Sequence, residues 1–121
     1  GAGSGLGLAL ARRYAAAGDR VAVVDIVAER AEAAADALAG SGHLAMAADV
    51  GSDESMQALG EFVRAEWGGL DVLVNNAGIA TGGAMVDTTM AEWRNVLEIN
   101  LLGVVRGCRL FLPGMIAAGR G

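Results

Sequence analysis

The sequence predicts an α/β fold built on a parallel sheet. Helix-period and strand-like segments alternate along the chain, a glycine-rich turn opens it, and acidic or amide residues stand at the ends of the strand-like runs. With 54% hydrophobic and 19% charged residues, the 121 positions hold enough apolar side chain for one compact core, which argues against disorder. No repeat, low-complexity tract or composition break divides the chain, so residues 1–121 are expected to form a single domain.

Each element has its own signal. Leu6, Leu10 and Tyr14 recur every fourth position among alanines, which predicts a helix over 6–17 with these three on its apolar stripe and Gly18 as its stop. Tyr14 is thereby a core residue. Val21, Ala22, Val23 and Val24 are too few for a helix and rich in β-branching, so 21–25 reads as a buried strand ending at Asp25. A helix over 28–38 ends at Gly40-Ser41-Gly42, and a weaker strand over 44–48 leads to Asp49. Ser52 is placed to cap the next helix, with Asp53 and Glu54 in its first turn and Met56, Leu59, Phe62 and Val63 facing inward up to Gly68-Gly69. A third strand is expected over 70–74. Thr89 and Glu92 have capping-box spacing and open the longest helix, whose inner face is expected at Trp93, Leu97, Val104, Cys108 and Phe111. Pro113 is expected to kink or end that helix.

Composition excludes some partners. A formal charge of −5 builds no positive field for a phosphate backbone, so nucleic acid is not expected. No apolar run reaches the roughly 18 residues of a membrane span. The single Cys108 cannot form an internal disulfide and reads as a packed thiol, in keeping with a reducing cytoplasm. His43 has no carboxylate or cysteine cluster around it in sequence, so it is read as a surface residue and no metal site is expected.

The chemistry gathers at the strand ends. Gly1, Gly3, Ser4, Gly5, Leu6 and Gly7 form a glycine turn that runs into a helix, an arrangement in which helix N-terminal amides and a close backbone can hold a pyrophosphate. Such a turn is launched from a buried strand, so a strand is expected ahead of Gly1, in a longer protein. Asp25, about 20 residues on, stands where a carboxylate can accept hydrogen bonds from ribose hydroxyls, and its charge would repel a 2′-phosphate, favouring NAD over NADP. Alternatively it caps the following helix. Asn75-Asn76-Ala77-Gly78 ends the expected third strand on the same edge, where an Asx-turn is the competing explanation. Asn100 falls between Leu97 and Val104 on the expected inner face, and an amide there needs a partner.

With these features in order the sequence resembles the short-chain dehydrogenase/reductase family over its whole length. The match to the family's T-G-x-x-x-G-x-G turn begins at Gly1 and lacks the threonine, and N-N-A-G is complete at Asn75 to Gly78. The resemblance implies a Rossmann-like, doubly wound parallel sheet, incomplete here because the first strand and the C-terminal half fall outside these residues. It implies that Asp49 and Val50 border the adenine, that Asn76, Ala77 and Gly78 line the cofactor, and that Asn75 braces the central sheet. Ser4 stands where many NADP-preferring members carry a basic residue. The resemblance implies that Asn100 holds a water in a proton relay; an amide satisfied by neighbouring main chain is the other reading. It further implies a small-molecule alcohol or carbonyl substrate and a homodimer or homotetramer using the long helix.

The family's serine and Tyr-x-x-x-Lys have no match, because the chain has no lysine and its only tyrosine is Tyr14. The 121 residues are therefore expected to be inactive alone, and a sheet without its first strand is expected not to fold stably. The rival readings are a non-catalytic NAD-binding module and a scaffold with a vestigial site.

Overall fold

The computed structural model describes residues 1–121. Its elements are α1 (Gly5–Ala16), β1 (Ala22–Asp25), α2 (Ala28–Asp36), β2 (Leu44–Ala47), α3 (Asp53–Trp67), α4 (Met90–Leu97), a π turn (Glu98–Leu102) and α5 (Gly103–Ala118). They fall into two compact units, Gly1–Asp49 and Val50–Gly121. The α/β class and the parallel pairing follow the sequence.

In the first unit β1 and β2 pair in parallel, Ala22 opposite Leu44 and Asp25 opposite Ala47. Ala2 adds a further bond on the other edge of β1, its N–H donating to the Val24 carbonyl at 2.9 Å. The core is made almost wholly of small side chains: Ala11, Ala15, Val23, Ala31, Ala34 and Leu38. That corrects the expected stripe of α1. Gly7, Ala11 and Ala15 face inward, Leu6 is 70% exposed, and Tyr14 is only partly covered. Glycine and alanine let the helix axis come close to its neighbours, and the bulkier Leu6-Leu10-Tyr14 line is turned outward by one position. His43 is also less idle than expected. Its Nδ1 accepts from the Val21 N–H at 3.1 Å and its Nε2 lies 2.9 Å from the Ala39 carbonyl, so the ring joins the residue before β1 to the turn after α2.

In the second unit α3 keeps its expected boundaries. The Ser52 hydroxyl accepts from the Ser55 N–H at 3.2 Å, and Gly68 closes the helix in a left-handed conformation at φ 77°. Met56, Leu59, Gly60 and Val63 are buried. The Thr89 capping box is complete, with Glu92 N–H donating to the Thr89 hydroxyl at 3.2 Å and Thr89 N–H donating to the Glu92 carboxylate at 2.7 Å.

Four expectations for this unit are corrected. Residues 70–74 form no strand, because a strand exists only through a hydrogen-bonded neighbour and this segment pairs with none; the sheet has two strands. Helix runs from Met90 to Ala118 through Pro113, so of the two expected effects of that proline the ending is overturned. Its buried line is Gly103, Gly107, Phe111 and Met115, while Leu97 is 51% exposed. Finally, these 29 helical residues do have the length and apolar composition of a membrane span. Only one line of this helix is packed: a Cβ at Gly60 would lie 2.5 Å from Leu110, and Phe111 and Met115 are each 7% exposed, while Leu101, Val105 and Ile116 stay exposed.

Candidate functional site

The first unit brings the glycine turn and Asp25 into direct contact. Asp25 is 3% exposed, and its two carboxylate oxygens accept from the Gly3 N–H at 3.0 Å and the Val27 N–H at 3.1 Å. Burial pushes its pKa up, but the Val27 and Gly3 donors and the nearby Arg30 hold it below the usual carboxylate range. The carboxylate therefore stays charged while shielded from bulk water, and its lone pairs are not exhausted by two donors. Its bond from Val27, two residues on, is an Asx turn leading into α2; the N-cap of that helix is Val27 and no side chain caps it, so the capping alternative is not realised.

The turn has the form of a cradle. A Cβ on Gly3 would lie 2.6 Å from Arg30 Cβ and 3.0 Å from the Asp25 carboxylate, so only glycine fits. Gly5 has φ +53° and opens α1, with Ser4 as its N-cap and no side chain capping the first amides. Helix geometry leaves the first amides of α1 without intrahelical acceptors. Gly5 and Leu6 are exposed and Gly7 is buried beneath them. A diphosphate fits such a surface: donors without side chains in the way, at the positive end of a helix. Asp49, at the end of this unit, is half-buried.

The second unit assembles the amide motif around the π turn. Asn100 is exposed rather than facing inward, and its side chain is bonded twice to one residue, accepting from the Ile79 N–H at 2.9 Å and donating to the Ile79 carbonyl at 2.8 Å. The wide turn carries it toward the loop instead of the core. Gly78 lies against the same amide, a Cβ there falling 3.5 Å from Asn100 Oδ1. Asn76 and Ala77 are half-buried beside it. Asn75 braces the long helix instead of a sheet: its amide nitrogen is 3.7 Å from Cys108 Sγ, and a Cβ on Gly107 would lie 2.4 Å from its oxygen. With no strand over 70–74 there is no sheet for it to brace. Val50 packs on Gly103, where a Cβ would lie 2.9 Å from Val50 Cγ2.

Two features escaped the sequence reading. The π turn at Glu98–Leu102 has no propensity signal, and single wide turns of this kind occur preferentially at functional sites. Arg106, on the same helix, binds Glu98 and Asp53. The spacing of Gly103 and Gly107 was the available signal for the close face. No group of three or more His, Cys, Asp or Glu side chains is placed to hold a metal ion.

Comparison with known proteins bears on this geometry. The family model described as short chain dehydrogenase matches residues 1–121. The chain is 42% identical over its full length to D-threitol dehydrogenase of Mycolicibacterium smegmatis, covering 47% of that protein. It is 45% identical to cis-4-hydroxycyclohexanecarboxylate dehydrogenase of Sinomonas cyclohexanicum, covering all of this chain and 49% of the relative. Among solved structures, a metagenomic short-chain oxidoreductase in complex with NADP superposes with TM-score 0.94 at 35% identity, covering 100% of this chain and 56% of that one. A short-chain type dehydrogenase/reductase from Mycobacterium marinum gives TM-score 0.93 at 30% identity, covering 100% and 48%. The chain thus spans about half the length of the relatives it matches.

Proposed function

The chain belongs to the short chain dehydrogenase family, and on that footing we propose that the protein containing it transfers hydride between a nicotinamide dinucleotide and a small alcohol or carbonyl compound. The observation that carries this reading is the buried Asp25 carboxylate bonded to Gly3, which joins a ribose acceptor to a phosphate cradle.

In this reading Gly1, Gly3, Ser4, Gly5, Leu6 and Gly7 hold the diphosphate, Asp25 the adenosine ribose, Asp49 and Val50 the adenine, and Asn76, Ala77 and Gly78 the nicotinamide side. When bound, the dinucleotide supplies the hydride acceptor or donor. Asp25 selects NAD over NADP because a fixed carboxylate repels a 2′-phosphate; the NADP found in one structural neighbour belongs to that protein. Asn100 retains one N–H and one oxygen lone pair after its two bonds to Ile79, enough to hold a water of a proton relay at the exposed surface. A proton donor with a pKa drawn toward neutrality is still required, and a chain without lysine does not supply the family's tyrosine-lysine pair. The exposed Leu97, Leu101, Val105, Leu112 and Ile116 suit the long helix to a dimer or tetramer contact, and the free Cys108 suits a reducing cytoplasm.

Calorimetric titration of the full-length protein with NAD and NADP tests the assignment. NAD is expected to bind more tightly, and Asp25→Ala to weaken NAD and narrow the gap. An unchanged cofactor preference in that variant would refute the role of Asp25.

A further inference from the structure

Arg106 ties three segments of the second unit together. Its guanidinium pairs through Nε with Asp53, at the start of α3, and through Nη2 with Glu98, the first residue of the π turn. Its Nη1 donates to the Val50 carbonyl at 3.2 Å and, more weakly, to the Glu98 carbonyl at 3.4 Å. Asp53 is 87% exposed, so that pair contributes little by itself. The two main-chain carbonyls matter more, because the arginine side chain that reaches them is only 18% exposed.

The same place is closed from the other side. Gly103 donates its N–H to the Glu98 carbonyl, completing the wide turn, and lies too close to Val50 to accept a Cβ. One planar group with five N–H donors can serve a carboxylate and two carbonyls at once, whereas an ammonium offers three donors from a single point.

We propose that Arg106 is a positioning residue: it fixes the spacing between the loop at Val50 and the π turn, and so holds the Asn100 amide against Ile79. Its bearing on the reaction rests on the reading of Val50 and Asn100 given above; the tie itself is measurable without any nucleotide.

Hydrogen exchange at the Ile79 amide, in the full-length protein without added cofactor, reads the tie directly, with the Leu59 and Val63 amides of α3 as reference. In R106M, which keeps the apolar stem, Ile79 is expected to exchange about tenfold faster relative to those references. R106K, which keeps a charge beside Asp53 and Glu98 but offers too few donors to serve both carbonyls as well, is expected not to recover the protection of Ile79. With NAD, both variants are expected to bind about tenfold more weakly than the parent. Uniform acceleration of all amides, no change at Ile79, full recovery of Ile79 by R106K, or unchanged NAD affinity in both variants overturns the proposal. Failure of the unmodified protein to bind NAD sinks the cofactor reading instead, and exchange at Ile79 then decides the tie alone.

Discussion

Asn100 and Ile79 are joined by two hydrogen bonds, one in each direction, so that a side-chain amide takes the place of a neighbouring strand for one residue of loop. The pairing explains why an asparagine, and not an aspartate, stands in the wide turn. In the full-length protein Asn100→Ala is expected to cost about 1–3 kcal/mol, two bonds at a net of about 0.5–1.5 each. Asn100→Asp is expected to be worse at neutral pH, because a carboxylate oxygen would face the Ile79 carbonyl. Its deficit against the parent is expected to shrink as pH falls below about 4, where a protonated carboxyl can donate. Thermal denaturation at pH 7 and pH 4 checks both; a pH-independent deficit would contradict the assigned geometry.

Asp25 makes a second pH-dependent contribution. Its pKa in the folded protein is lowered, so the unfolded chain takes up the proton first. The stability it supplies is present in full above the unfolded value of about 3.9 and is lost as pH falls below it, through the folded value. Asp25→Asn is expected to cost about 1–3 kcal/mol at pH 7, since an amide offers one acceptor oxygen to two main-chain donors. That difference is expected to shrink as pH falls below the unfolded value and to be lost only below the folded one. A parent–variant gap in denaturant midpoint that is no smaller at about pH 2.5 than at pH 7 would refute the account.

The glycines are not equivalent. Gly3→Ala brings a Cβ against Arg30 Cβ and main chain, which cannot move independently of α2, whereas Gly60→Ala meets the tip of Leu110, which can rotate. Gly60→Ala also gains about 1 kcal/mol of helix propensity. Gly3→Ala is therefore expected to destabilise by about 1–3 kcal/mol and to abolish dinucleotide binding, with Gly60→Ala much milder. Melting temperatures and NAD titration of the two variants distinguish them; equal losses would overturn this ranking.

Residues 70–74 carry Val72 at 53% and Val74 at 46% exposure and pair with no strand. The 121-residue segment expressed alone is accordingly expected to show no cooperative thermal transition and to bind hydrophobic dye. A sharp transition monitored by circular dichroism would show the opposite.

Much of this was legible in advance. The glycine turn, Asp25 at the end of β1, the Ser52 cap and the Thr89 capping box each rest on local chemistry that a few adjacent residues specify, and each stands where the sequence put it. The inward faces of α1 and the long helix were misread for one shared reason. Reading by side-chain size selects Leu6, Leu10 and Tyr14, or Val104 and Cys108, yet the buried lines are Gly7, Ala11 and Ala15, and Gly103 and Gly107. Close approach rewards the smallest residues, and hydrophobic periodicity gives them little weight.

The sequence by itself determined the alternation of helix and strand as far as α3, the Ser52 and Thr89 caps and the family, because these depend on neighbours within about one or two turns of chain. Tertiary structure alone decided which way Asn100 points, that Asn75 leans on Gly107, that 70–74 lies unpaired, and that Arg106 spans from Val50 to Glu98. Each of those depends on a partner far along the chain, and no local propensity encodes the distance between groups that meet only after folding.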